Sequence, residues 1–197
     1  MQASTRGVIA LTHEGGTPLG GWRPVALPPA PPASSPAVRQ VLQRNGRRDT
    51  APELALRRQL HALGMRFLVD TSPSGTSKRR RSDVVVRGSR LAVLVHGCFW
   101  HRCPVHFHAP KANAEWWGLK FASITARDAD TEQMLRAAGW LPVVVWEHED
   151  MATAARQILQ LHRERRSAGT EPREPPAEPV AVPGLMSARS PGAEGAG

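Results

Sequence analysis

The sequence has no tyrosine, only two cysteines and no apolar run long enough to cross a membrane. The last absence excludes a membrane-spanning helix. Residues 8–11 form the longest apolar stretch near the start, too short for a secretory signal. Two cysteines cannot frame a disulfide scaffold. Cys98 and Cys103 lie five apart beside several histidines, a setting that suits an intracellular metal site better than a disulfide. Acids are also scarce. Against 26 Lys and Arg stand 17 Asp and Glu, a net charge of +9 in 197 residues. That balance points to a polyanion as partner, nucleic acid above all.

Proline is scarce only in the middle. Of 18 prolines, seven lie in residues 1–36, six in 167–197 and five in the 130 residues between. Residues 1–36 are therefore expected to be a disordered Pro-rich flank, and 167–197 a disordered tail that buries too little apolar surface to offset its ordering entropy. Residues 37–166 are expected to form one domain. They hold 22 Lys and Arg against 12 acids, so the basicity belongs to the folded part.

Within that domain, residues 37–45 predict a short basic helix. A second helix is expected to start near Thr50, with Pro52 and Glu53 in its first turn, a buried stripe of Leu54, Leu56, Leu60 and Leu63, and a stop at Gly64. A strand follows at 65–69, then a polar loop ending in four cations, 78–81. Residues 82–87 and 90–95 read as a hairpin about Gly88-Ser89. A long helix over 113–138, capped by Asn113 and stopped by Gly139, precedes a strand at 141–146 and a helix at 151–163. The order implies an α/β fold, a mixed sheet flanked by helices.

Half of the eight histidines and both cysteines fall in the 13 residues 96–108. Thiolate and imidazole together suit tetrahedral zinc. Two cysteines cannot close a four-ligand site alone, so at least two histidines must join, with His148 a candidate from beyond the last strand. The plainer alternative is a pair of reduced, buried cysteines beside solvated histidines. Asp83, the lone acid opening an apolar strand, is placed to hold Mg²⁺ with open positions for water and phosphate, or simply to favour a turn. Asp128 on the long helix and Glu53 at a helix start also have structural explanations. Six of the ten Trp and Phe lie between Phe99 and Phe121. In a basic protein such rings can stack on bases or wedge between them. Trp116 and Trp117 point to two sides of one helix, so both can hardly be core.

HGCFWHRCPVH (96–106), with SDVVV (82–86) and RRDTAPELALRRQL (47–60) before it and NAEWWGLKFASITARD (113–128) and GWLPVVVWEH (139–148) after it, resembles the very short patch repair (Vsr) DNA mismatch endonucleases. The resemblance covers roughly residues 38–150. It implies a restriction-endonuclease-like fold with a structural zinc site. It also implies an Mg²⁺-dependent hydrolase that nicks one DNA strand 5′ of the thymine in a T·G mismatch left by 5-methylcytosine deamination. The family's best-known context is CT(A/T)GN, set by a partner cytosine methyltransferase.

Position by position, the resemblance makes Asp83 the metal-binding aspartate and Val95 a ligand through its backbone carbonyl. His96 and His101 match two active-site histidines, with His101 the general base, and Glu53 and Asp128 match acids that organise water. Phe99, Trp100 and Trp117 match rings that enter the base stack from the major groove, and Leu42 an apolar residue entering from the minor groove. Arg44, Arg47 and Arg48 are expected on the DNA backbone. Cys98 matches a zinc ligand. Cys103 stands where the family can carry a histidine, and the next ligand position falls on Val105, which cannot bind. His106 then takes over, with His108 as the alternative, and His148 stands where a cysteine occurs. Double-stranded DNA with a T·G mismatch is the expected partner, with other mismatch-repair proteins beside it. A monomer in the cytoplasm, associated with the nucleoid, is expected.

Three rivals share these residues: a zinc-stapled DNA-binding module without catalysis, a ββα-metal nuclease with its catalytic metal in the Cys/His cluster, and a hydrolase of other substrates using catalytic zinc.

Overall fold

A computed structural model describes residues 26–168 except 45 and 47, with the side chains of 42–44 also outside the description. Eight main elements run in order: α1 (Pro36–Arg44), α2 (Ala51–Ala62), β1 (Leu68–Thr71), β2 (Ser82–Val86), β3 (Leu91–His96), α3 (Ala114–Ala137), β4 (Leu141–Trp146) and α4 (Met151–Ala168). The strands lie in the order β1-β2-β3-β4, antiparallel from β1 to β3 and parallel between β3 and β4. This is the expected mixed sheet with flanking helices. Among the described residues no helix is long and apolar enough to cross a membrane.

Strand alternation divides the core into two layers. Val84, Val86, Leu91, Val93, Val143 and Val145 pack against Leu56 and Leu60 of α2 and Ala154, Ala155 and Ile158 of α4. Val85, Ala92, Leu94 and Val144 pack on the other face with Leu135 of α3 and Trp140. The sheet is therefore sandwiched, α2 and α4 on one side and α3 on the other.

Local chemistry sets most boundaries. Ser35 caps α1, its hydroxyl accepting the Val38 N–H at 3.2 Å, and Pro36 takes the first helical position, where its missing N–H costs nothing. At Gly64 and Gly139 (φ +75° and +76°) the chain turns left-handed, and the Met65 and Trp140 amides reach back to the Leu60 and Leu135 carbonyls. Both helices thus end in a Schellman turn that only glycine enters without strain.

Several expectations need correction. Leu54 and Leu63 are exposed, because the face of α2 between Leu56 and Leu60 continues through Glu53 and Arg57 toward the cleft. The first strand begins three residues later than the apolar run, at Leu68. A short 3-10 turn, Arg87–Ser89, closed by left-handed Arg90, replaces the simple two-residue hairpin turn. Helix α4 continues five residues beyond residue 163. Asn113 precedes α3 in a left-handed conformation and makes no cap with its side chain. Its amide instead donates to the Pro32 carbonyl at 3.3 Å. Trp116 Nε1 likewise donates to the Pro28 carbonyl at 3.0 Å, so residues 26–35, placed by sequence in the Pro-rich flank, are tied at two carbonyls to the start of α3.

Candidate active site and metal centre

The strands β2 and β3 pair as far as Val84 with Val93, and then part. Into the parting reaches Asp83. Its Oδ2 accepts the Val95 N–H at 2.7 Å, taking the bond a ladder partner would otherwise take. On β3 the next carbonyl, of His96, accepts from Glu147 on the β4 side. Successive residues face opposite neighbours, so Val95 turns its carbonyl the other way, to the side of Asp83. The Asp83 carboxylate and the Val95 carbonyl thus face the same side of β3, and hard oxygen ligands of this kind suit Mg²⁺. Burial pushes the Asp83 carboxyl up to about 6, the Val95 hydrogen bond opposes this, and nearby Glu53 adds to it. No ion pair to Asp83 forms among the described residues. An anion held in that way fits a cation bound beside it.

Glu53 is buried at the start of α2. Thr50 donates its hydroxyl to Oε1 at 2.8 Å, and the Asp49 amide donates to Oε2 at 3.1 Å, so the Glu53 carboxylate gathers the chain entering α2 while the Thr50 hydroxyl caps no helix amide. Arg57, one turn on, binds the same Oε2 at 2.7 Å and Asp49 at 2.5 Å. Its Nε is buried without a partner. Arg57 was not singled out in the sequence, although Glu53 and Arg57 at i and i+4 carried the signal of an ion pair. It bridges two acids that would otherwise repel each other behind Asp83.

Across the cleft, His101 Nδ1 lies 2.6 Å from Asp128 Oδ2 on α3, and Arg127 reaches the other oxygen at 3.3 Å. Burial opposes ionisation of Asp128, but the His101 hydrogen bond and the neighbouring positive charge hold its carboxyl below the usual range. His96 stacks on His101 with ring centroids 3.9 Å apart and planes 9° from parallel. Burial, reinforced by His101, pushes the His96 imidazole down to about 3, so it stays neutral at any cellular pH. His96, His101 and Asp128 offer three ligand or proton-transfer atoms within 4.8 Å of one another. Asp83, Glu53, His96, His101, Asp128 and Glu147 line a single cleft of about 950 Å³. Arg80 and Arg81 tie the basic loop to its rim through Asp130 (2.5 Å) and Asp70 (2.6 Å). Arg48, on the same rim, reaches Asp49 and Asp70 at 3.4 Å.

The second cluster joins the loop after β3 to the residue two beyond β4. Cys98, Cys103, His106 and His148 place one ligand atom each within 4.8 Å of one another. Cys98 Sγ and Cys103 Sγ are 3.1 and 3.7 Å from His148 Nδ1, and Cys103 Sγ is 3.9 Å from His106 Nδ1. A tetrahedron with zinc bonds of about 2.0–2.3 Å has ligands roughly 3.3–3.8 Å apart, close to this spread. Burial pushes the Cys98 thiol up to about 12, with Cys103 adding to the shift, so ionisation there calls for a cation. Four protein ligands of this kind would fill a tetrahedral zinc ion, as structural sites do. His108 is not part of the set. Glu147 joins the two centres by accepting the Cys98 N–H at 2.6 Å.

The rings form a crest beside the catalytic cleft, whose lining includes Phe99 and Trp100. Phe99 lies edge-on to Trp100, Trp117 and Phe121, at centroid distances of 5.2, 5.3 and 5.4 Å. Trp117 stacks on Phe121 at 5.3 Å. Phe121 is buried, whereas Phe99, Trp100 and Trp117 are half-exposed and line a second cleft that adjoins the first. Trp140 is buried in the core, and half-buried Trp146 packs beside it. The side chains of Leu42 and Arg44, and the whole of Arg47, lie outside the described residues.

A family model described as DNA mismatch endonuclease Vsr matches residues 34–106. The chain is 37% identical over 119 residues to the type II nicking enzyme V.NaeI of Lentzea aerocolonigenes, a match covering 60% of this chain and 72% of that one. It is 38% identical over 119 residues to the type II nicking enzyme V.XorIIP of Xanthomonas oryzae pv. oryzae, covering 58% and 83% of the two chains. To the DNA mismatch endonuclease Vsr of Escherichia coli it is 36% identical over 102 residues, covering 51% and 62%.

Proposed function

The chain belongs to the Vsr family of DNA endonucleases, and from that premise we propose that it nicks one strand of duplex DNA on the 5′ side of the thymine in a T·G mismatch. The observation that carries this reading is that Asp83 and the Val95 carbonyl face the same side of β3 opposite the His101–Asp128 pair, with a crest of aromatic rings alongside. The sheet then follows the restriction-endonuclease plan. It lacks that plan's usual second acid and lysine on β3, where the chain reads Ala92-Val93-Leu94-Val95-His96.

Asp83 and the Val95 carbonyl would hold Mg²⁺, which when bound activates water and neutralises charge developing on the phosphoryl oxygens. The chain's own residues do the rest. Asp128 accepts a hydrogen bond from His101 Nδ1–H and leaves Nε2 as the nitrogen that takes a proton from the attacking water. Neutral His96 keeps the His101 ring in plane without competing for the proton. Glu53, fixed by Arg57 and Thr50, orders water on the Asp83 side. Cys98, Cys103, His106 and His148 would hold structural zinc and fasten the loop that carries Phe99, Trp100 and His101 to the end of β4. Phe99, Trp100 and Trp117 would enter the base stack at the mismatch, where it is weakest. Arg44, Arg47 and Arg48 would meet phosphates, with Leu42 pressing from the opposite groove.

Four such ligands argue against the ββα-metal alternative, since together they would leave no coordination position for a scissile phosphate. End-labelled T·G, T·A and C·G duplexes with randomised flanks test the reading. The expected product is a single nick 5′ of the mispaired thymine, with a 5′-phosphate. Equal cleavage of the three duplexes, or a double-strand break, overturns it.

A further inference from the structure

Trp116 takes no part in the wedge. Its ring lies edge-on to Trp117 at 5.0 Å, and its Nε1–H donates to the Pro28 carbonyl at 3.0 Å. Four residues further along the same strap, the Pro32 carbonyl accepts from Asn113 Nδ2. Both donors stand at the start of α3. An extended proline-rich chain has no internal hydrogen bonds, and its carbonyls are free to accept. An indole N–H on such a carbonyl is the way aromatic grooves take up proline-rich peptides, here satisfied within one chain.

The strap has a second neighbour. Residues 30–34 line the cleft of about 1410 Å³ together with Phe99, Trp100 and Trp117. Lys111, Lys120 and Arg127 supply positive charge along it, and Phe99, Trp100, His101 and Arg127 also line the catalytic cleft. The strap runs without a break into Ser35 and Pro36, which start α1, and α1 turns exposed Val38 and Val41 into the same space. The direction of the strap therefore sets the direction of α1.

Building on the DNA reading above, we propose that the strap 26–35, docked on Trp116 and Asn113, is a fixed wall of the duplex-binding cleft that holds α1 opposite the aromatic crest. The occupant is duplex DNA, because the cleft is continuous with the catalytic one and its charged residues are cations. Residues 26–38 carry no charge, so this wall meets sugars and groove edges rather than phosphates. Stiff prolines, ordered before DNA arrives, lower the ordering cost of binding. The strap touches no reacting group, so it acts on affinity and leaves the chemical step alone.

Two variants test this on the full chain. Trp116→Phe keeps a ring and removes the N–H donor. Replacing Pro28, Pro29, Pro31 and Pro32 together by glycine keeps the length and charge and removes the stiffness. Each is expected to weaken T·G duplex binding by roughly tenfold, the scale of one hydrogen bond plus lost preorganisation. The salt dependence should not change, since no phosphate contact is lost. The single-turnover nicking rate at saturating DNA and the melting temperature should stay near wild type. Wild-type affinity in both variants, tighter binding in either, or a flattened salt slope overturns the inference. Trp117→Ala is measured alongside. If it weakens T·G binding while the strap variants do not, only the strap inference fails; if it too is without effect, the DNA reading of the cleft fails with it.

Discussion

The Nδ1 of His101 and the Oδ2 of Asp128 lie 2.6 Å apart, a hydrogen bond that ties the Cys/His loop to the middle of α3 and fixes which imidazole nitrogen faces the cleft. Asp128→Asn would keep the shape and offer the ring an N–H in place of an acceptor, favouring the wrong tautomer. We expect single-turnover nicking to fall by roughly a hundredfold, within the range of general acid–base catalysis, with mismatch affinity unchanged. Band-shift titration beside a rapid-quench rate checks both. An unaltered rate would remove His101 from the chemistry.

Asp83 carries a cost that function explains. Its carboxyl is raised by burial to about 6, above the value near 3.9 of an unfolded chain. The unfolded chain therefore ionises first, and the penalty grows from about pH 4 to pH 6 and is complete above it. Asp83→Asn should stabilise the Mg²⁺-free protein at pH 7 by an amount on the order of 1–3 kcal/mol. The gain should vanish near pH 4. Added Mg²⁺ should raise the melting temperature of the wild type and not of the variant. Thermal melts over pH and Mg²⁺ concentration decide the matter; a destabilised Asp83→Asn protein at pH 7 would contradict this.

For the second centre, Cys98→Ser, His106→Ala and His148→Ala should each release zinc and lower the melting temperature by several degrees or more, because such sites supply folding energy directly. His108→Ala should do neither, since His108 stands apart from the four ligand atoms. Elemental analysis of the purified variants is the measurement. Zinc retained in the first three, or lost only in His108→Ala, would show that the ligand set is wrong.

Trp117 is half-exposed on the crest and stacked on buried Phe121. Trp117→Ala should cost roughly 1–3 kcal/mol in binding to T·G DNA, the scale of one lost base–aromatic stack, and much less on matched DNA. Equal losses on the two duplexes would mark Trp117 as a packing residue.

The sequence conveyed the sheet well, since β2, β3 and β4 are short, β-branched and bounded by turn residues, and their observed limits lie within a residue or so of those expected. It conveyed the Cys/His cluster by sheer density. What it concealed were relations between distant segments. Arg57 is one of several cations in a basic helix, and only the fold buries it against Asp49 and Glu53. Glu147 follows directly on a strand, and only the parallel pairing of β3 with β4 brings it to the Cys98 amide. The strap was invisible because its partners, Trp116 and Asn113, lie more than 80 residues away. Composition alone describes such a proline-rich segment as unable to form a core, which is true and says nothing about docking on one.

The most direct test of the account is the Mg²⁺ dependence of single-turnover nicking on a T·G duplex, wild type against Asp83→Asn, with binding measured on the same samples. The account predicts that the wild type nicks 5′ of the mispaired thymine only when Mg²⁺ is added and leaves the matched duplex intact. It predicts that Asp83→Asn binds the mismatch and does not nick it. Nicking that survives in Asp83→Asn, or wild-type cleavage that proceeds equally on matched DNA, would contradict it.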